Sequence, residues 1–151
     1  MTAQRAGEID ARMTAQDVDD FLRREFPQIF DSGYHLIVEA TRHRFARLRL
    51  KYSDRHLRPG GTISGPAMFS LADVAMYACV LSHYGPVALA VTTNLNINFL
   101  RKPAPGDLLA EARLLKAGQR LAVGEIVLCS DGETEPAAHA TATYSIPDAV
   151  F

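Results

Sequence analysis

Asp73 is the residue that first invites a chemical reading. It stands in the run Pro66 to Ser82 (PAMFSLADVAMYACVLS) as the one carboxylate, and no basic residue accompanies it. Apolar side chains fall on every face of that run, which predicts a helix buried nearly all round. An ionised carboxylate without partners in such a place costs several kcal/mol, so Asp73 must be hydrogen-bonded, protonated or open to a cavity. Aspartate is also a mediocre helix-interior residue, so helix propensity does not explain it. Two uses stay open: capping the backbone donors of a neighbouring loop, or acting as a general base or nucleophile.

The start of the same helix is the second chemical feature. Ser64 or Gly65 fits the N-cap, and Pro66 fits the first turn, where no backbone donor is needed. A helix N-terminus presents unpaired N–H groups and a partial positive charge, which can polarise a carbonyl. Gly65 lets a ligand approach its own backbone closely; an ordinary capped helix start is the alternative. Eight residues separate Gly65 from Asp73, about 12 Å along a helix axis. Groups acting on one carbonyl carbon must both lie within roughly 3 Å of it. If both act, Asp73 of one chain must work beside Gly65 of another, and the spacing predicts a homodimer with composite sites.

Other residues offer less. Arg101 and Lys102 follow a strand-like run and precede Pro103 and Pro105, where they can hold phosphate by charge or merely solubilise a turn. The five histidines, His35, His43, His56, His83 and His139, have no metal-ligand spacing, and no metal is expected. His56, in the loop before the helix, is the one kept as an acid–base helper. Cys79 and Cys129 sit in apolar runs and read as free thiols. No Gly-x-Ser-x-Gly elbow suggests a serine hydrolase, and no Walker or Rossmann glycine pattern is present.

These residues need elements to position them. Thr14 and Asp17 resemble a capping box, with Asp a shorter substitute for the usual Glu or Gln; Val18, Phe21, Leu22 and Phe26 recur at helical spacing, and Pro27 closes the segment, predicting a helix over about 14–26. A strand near 35–41 turns at Arg42–His43 into a second, in which Ala46, Leu48 and Leu50 alternate with Arg47, Arg49 and Lys51. Residues 53–64 form a polar, glycine-rich loop, and the long helix runs from about 65 to 83 until Gly85–Pro86. Four strands are predicted near 87–100, 106–117, 120–130 and 135–146. In the first, Thr92, Asn94, Asn96 and Asn98 alternate with a mostly apolar set, the asparagines forming a solvated face or a polar seam between chains. The order predicts an α+β fold, one long apolar helix wrapped by an antiparallel sheet. Residues 1–12 read as a loose tail and 13–151 as a single domain.

The 151 residues suit one domain, and 48% hydrophobic with 22% charged residues is ordinary for a globular protein. A formal net charge of −1 gives no global reason for nucleic-acid or membrane binding. Met1 to Arg12 lacks the apolar core of a signal peptide, and no uninterrupted apolar stretch reaches the ~18 residues of a membrane span. A cytoplasmic protein is the expectation.

The run GGTISGPAMFSLADVA, followed by VTTNLNINFLRKPAPGDLLAEARLLKAGQRLAVGEI, resembles hotdog-fold thioesterases of the phenylacetic-acid-degradation (PaaI-like) type. The resemblance covers about residues 34–146. Its most specific parts are the glycine-rich loop, Leu71-Ala72-Asp73, Asn96 to Leu100, and Pro105-Gly106-Asp107. It implies acyl-CoA thioester hydrolysis, with coenzyme A as part of the substrate and no other cofactor. By this resemblance the helix carboxylate falls on Asp73, the oxyanion-site N–H on Gly65, and the hydroxyl that places water on Thr92. The strand containing Thr92 would pair with its copy across a dimer axis, and a bulge there would turn the hydroxyl inward; a dimer of dimers is the expected assembly. The family loop reads Asn-x-x-Gly-x-x-His-Gly-Gly; here Gly61 and Gly65 match, while Arg58 replaces the Asn, Ser64 the His and Pro66 the last Gly. Ser64 can still donate one hydrogen bond, and Arg58 can bind a carboxylate, phosphate or substrate oxygen. Met68, Phe69 and Met76 line an acyl pocket or pack the core. The rival expectation is a non-catalytic acyl-CoA-binding or sensing protein. A hydratase would need a loop histidine that this chain lacks.

Overall fold

The computed structural model describes residues 10–31 and 33–147. Most of the predicted tail, residues 1–9, lies outside them. Its last part is fixed: the Arg12 N–H donates to the Ser82 carbonyl at 2.9 Å, and Met13 is buried.

Helix α1 (Ala15–Glu25) opens on the predicted capping box, with the Thr14 hydroxyl accepting from the Asp17 N–H and the Asp17 carboxylate accepting from the Thr14 N–H. It buries Val18, Phe21 and Leu22. Pro27 ends it, as read from the sequence, and a one-turn helix α2 (Gln28–Asp31) follows. Strands β1 (Leu36–Arg42) and β2 (Phe45–Leu50) form a hairpin. Helix α3 (Gly65–Tyr84) carries Ser64 as N-cap, Pro66 in its first turn and Gly85 as C-cap. Four strands complete the chain: β3 (Val91–Phe99), β4 (Leu108–Ala117), β5 (Leu121–Ser130) and β6 (Ala138–Ser145). β3 begins four residues later than the apolar run suggested, because Val87 to Ala90 close a turn in which the Ala90 N–H bonds the Val87 carbonyl.

The six strands make one antiparallel sheet in the order β1-β2-β4-β5-β6-β3, curled around α3. By length and composition α3 is apolar enough to cross a membrane, yet 61% of its most apolar window is buried inside this fold. Small inward residues let the sheet approach it closely: Ala110 and Ala112 on β4, Ala122 and Gly124 on β5, Ala138, Ala140 and Ala142 on β6, all the alanines being buried. Gly124 is the tightest point. A Cβ there would stand 2.6 Å from Met76 Sδ and 2.8 Å from the Arg113 carbonyl, so helix–sheet contact itself demands glycine.

The outer face carries the predicted charges as ion pairs. Arg47 pairs with Glu111 at 2.9 Å, and Arg49 reaches Glu39, Asp107 at 3.1 Å and Asp131 at 2.8 Å. Asp107, from the family-like Pro-Gly-Asp turn, also accepts from the Tyr52 N–H at 2.7 Å and so ties the β2 exit to the β4 entry. Burial raises its pKa, but Tyr52, Arg49 and Lys51 outweigh that and hold the carboxyl below its usual value.

Candidate active site

Asp73 is half-buried in the middle of α3 and lines a cavity of about 460 Å³. Its Oδ1 accepts two hydrogen bonds, from Thr92 Oγ1 at 2.6 Å and from Tyr144 OH at 2.8 Å. The Tyr144 hydroxyl also lies 3.0 Å from the Asp73 carbonyl oxygen. Among the described residues, Asp73 Oδ2 has no hydrogen-bond partner. One oxygen is therefore anchored, fixing the side chain, while the other keeps its lone pairs available at the cavity. Ser70, Val74, Tyr77, Ala90 and Val91 contribute to the same cavity.

A bulge brings Thr92 to this position. Thr92 pairs with Tyr144 and Asn94 with Thr143, so Thr93 is the extra residue. Beyond the bulge Leu95 and Ile97 face inward, while Asn94, Asn96 and Asn98 face outward and are exposed. Regular alternation would have put Thr92 outward with the asparagines. The inserted residue reverses the parity and turns Thr92 inward beside Tyr144.

Tyr144 is the member that sequence reasoning missed. It ends an inward row of Ala138, Ala140 and Ala142 on β6, and a tyrosine closing an alanine row was the available signal. Burial, and then the neighbouring Asp73 charge, raise its pKa well above that of free tyrosine, so its hydroxyl keeps its proton and keeps donating. Tyr77 stacks on it at 6.0 Å and donates to the Ala88 carbonyl at 3.0 Å.

Gly65 lines a different cavity, of about 450 Å³, with Arg58, Met68, Phe99, Arg101 and Lys102. It shares no lining residue with the Asp73 cavity. A Cβ on Gly65 would meet the Phe99 ring at 3.4 Å, an ordinary contact, and its φ is not in the left-handed region. The fold does not require glycine there, in contrast to Gly124. Ser64 spends its acceptor on its own helix, taking the Ala67 N–H at 3.3 Å, which leaves its O–H free to donate outward.

The predicted ligand residues divide. Arg58, Met68, Arg101 and Lys102 gather with Gly65; Arg101 is also paired with Glu135. Gly61 serves a tight turn at positive φ (76°), and lines neither cavity. Phe69 turns to the surface, 42% exposed, and also lines neither; Met76 is core packing against Gly124. His56 is buried with its ring stacked on Tyr34 at 4.8 Å, and neither ring nitrogen has a partner of ordinary geometry. Burial lowers its pKa, against a weaker influence of the Gly33 backbone, so it is neutral at pH 7. It lines neither cavity. Among the described residues no three metal-ligating side chains come together.

Comparison with known proteins agrees with this fold. The thioesterase superfamily model matches residues 60–137, from the loop before α3 to the start of β6. A candidate thioesterase from Silicibacter sp. TM1040, known by its crystal structure, shares 48% identity over 93% of this chain and 96% of its own, with a TM-score of 0.82. A candidate thioesterase related to phenylacetic acid degradation, from Ralstonia eutropha, shares 25% identity over 83% of this chain and 98% of its own, with a TM-score of 0.72. A candidate esterase of Halobacterium salinarum is 32% identical, covering 83% of this chain and 88% of its own length.

Proposed function

The chain belongs to the thioesterase superfamily, as a hotdog-fold member of PaaI-like type, and on that premise we propose that it hydrolyses acyl-CoA thioesters in sites shared by two chains. Acyl thioester hydrolysis is the activity its family supports. The observation that carries the finer reading is Asp73: a lone helix carboxylate with Oδ1 clamped by Thr92 and Tyr144 and Oδ2 unpaired at a cavity.

In this mechanism Oδ2 takes a proton from water as its oxygen attacks the thioester carbon. The Gly65 N–H of the partner subunit stabilises the oxyanion. The carbon–sulfur bond then breaks, and the thiolate leaves as coenzyme A thiol with the proton held by Asp73. Direct attack by Oδ2 would instead give an acyl-aspartyl anhydride, which water then cleaves. In a single turnover in heavy-oxygen water, unlabelled acid with label in Asp73 marks an anhydride cleaved at its aspartyl carbonyl, whereas the general-base route always labels the acid.

Pairing of two chains is supported by β3, an edge strand with Val91 56% and Phe99 52% exposed beside the outward asparagines. An antiparallel copy of β3 would cover that edge and carry one chain's α3 start toward the other's Asp73. Arg58, Arg101 and Lys102, close to Gly65, would hold the nucleotide phosphates. Thiol release from a panel of short, medium and aromatic acyl-CoAs tests the reading. Turnover by wild type and its loss in Asp73→Asn supports it. Thermal stabilisation by acyl-CoA without turnover would instead favour the binding protein, to which the Arg58 and Ser64 replacements point.

A further inference from the structure

A second, smaller cavity of about 160 Å³ adjoins the Asp73 cavity. Phe26, Ile29, Ser70 and Val74 line both, so a single layer of side chains separates them. The inner wall is apolar: Leu36 and Leu50 from the β1–β2 hairpin, Leu71 from α3 and the Tyr34 ring. Gln28 and Ser70 are its polar members, and among the described residues no carboxylate or cation lines it. Two of the four separating residues, Phe26 and Ile29, come from the end of α1 and from α2. Phe26 is the C-cap of α1, 44% exposed, directly before Pro27, and α2 buries none of its residues.

Deepening the hydrolytic reading, on which it rests, we infer that this inner chamber receives the far end of the acyl group and that Phe26 and Ile29 form its gate. Size and chemistry define the acyl class. An apolar cavity of about 150 Å³ holds a six-carbon ring without water, so the chamber accommodates about six carbons. With the thioester carbon at Asp73, short chains stop in the outer cavity and medium chains reach the inner one. A terminal carboxylate would enter a space with no cation to pair it, and is rejected. Preferred substrates are therefore neutral, medium-chain or similarly compact apolar acyl thioesters. Phe26, Gln28, Ile29, Tyr34 and Leu36, which line one side of the chamber, lie upstream of the residues matched by the family model.

The test uses uncleavable S-alkyl thioethers of coenzyme A and calorimetric titration, so binding is read apart from turnover. Wild type gains about fourfold in affinity for each methylene between S-butyl and S-octyl. Leu36→Phe, which fills the chamber, loses about tenfold for S-octyl and less than about twofold for S-propyl. Leu36→Ala, which deepens it, moves the preferred length upward, so one variant remains informative if the other does not fold. An ω-carboxylate on the S-octyl chain removes the gain in wild type. Unchanged length profiles in both folded variants, or equal losses for S-propyl and S-octyl, overturn the chamber. Absence of octanoyl-CoA turnover with the length profile intact overturns the hydrolytic reading instead.

Discussion

The cavities at Asp73 and Gly65 lie along one helix and are built on opposite principles. At Asp73, side chains set the chemistry: two hydroxyls from adjacent strands converge on one carboxylate oxygen, and a bulge exists at the point where one of them must turn. At Gly65, backbone and bare charge set it: a capped helix start, a missing side chain and three nearby cations. The first is held from several directions and the second is open on the rim. Neither holds all the parts of a thioester hydrolase. The rise of the helix keeps them about 12 Å apart within a chain, so on the proposed reading a complete site takes one group from each of two copies.

The sharpest way to break this comparison is to remove the carboxylate. Asp73→Asn keeps an oxygen for Thr92 and Tyr144 but loses the base, and kcat/KM is expected to fall about 10²–10⁴-fold with the melting temperature little changed. Equal loss of activity and stability would return Asp73 to a structural role. Next comes Gly65→Ala, where a methyl group would first meet the Phe99 ring, at 3.4 Å. It is expected to lower kcat about a hundredfold by displacing the carbonyl from the N–H, without loss of stability. Gly124→Ala supplies the opposite signature. It pushes Met76 and the Arg113 backbone apart, destabilises by about 1–3 kcal/mol, and leaves kcat per folded molecule intact.

The two inactive variants together test the shared site. If Asp73→Asn and Gly65→Ala chains are unfolded, mixed and refolded, half the dimers are hybrids. Each hybrid holds one site with both groups intact, so activity recovers to about one quarter of wild type. No recovery would mean that the two groups act within a single chain or do not act together.

How legible was this arrangement in the sequence? Asp73 stood out because an apolar helix with one charge must account for it, and the Gly65 start was marked by Ser64 and Pro66. The order of elements along the chain follows from alternation and turn residues, whereas the sheet order, with β3 at the edge beside β6, shows only in the fold. Tyr144 was hidden because tyrosine is common in cores and only pairing reveals that it faces Thr92. A bulge near Thr92 was expected, but its place at Thr93 could not be read from the residues, since parity depends on the partner strand. Helix α2 is a single turn and has no periodicity to read. Phe69 and Met76 read alike in the sequence, yet Met76 packs against the sheet and Phe69 meets solvent, a difference that only the packing shows.

Smaller effects come from the supporting hydroxyls. Tyr144→Phe and Thr92→Val each remove one donor to Oδ1, and each is expected to cost about tenfold in kcat, in keeping with one hydrogen bond to a charged group. Because the tyrosine keeps its proton, wild-type activity should show no loss attributable to Tyr144 ionisation up to about pH 10, the ordinary tyrosine value. An alkaline limb that disappears in Tyr144→Phe would show instead that the hydroxyl titrates in the working range. If both variants matched wild type, the clamp on Oδ1 would be packing and Asp73 would need no orientation.

The smallest expected effect belongs to the rim of the Gly65 cavity. Lys102 and Arg101 bring charge without a fixed geometry, and Arg101 already has Glu135 as a partner. Lys102→Ala should therefore raise KM for acyl-CoA more than Arg101→Ala, by about threefold against twofold, with kcat unchanged, because uniform binding is lost and no transition-state contact is. Raising the salt from about 0.05 to 0.5 M should erase the difference, since screening at the higher strength removes most of what an exposed cation contributes. The same salt change should leave kcat untouched, because the Asp73 clamp consists of short hydrogen bonds in a half-buried site. A salt-sensitive kcat would place the rim cations in the chemistry and end the division between a cavity that reacts and one that holds.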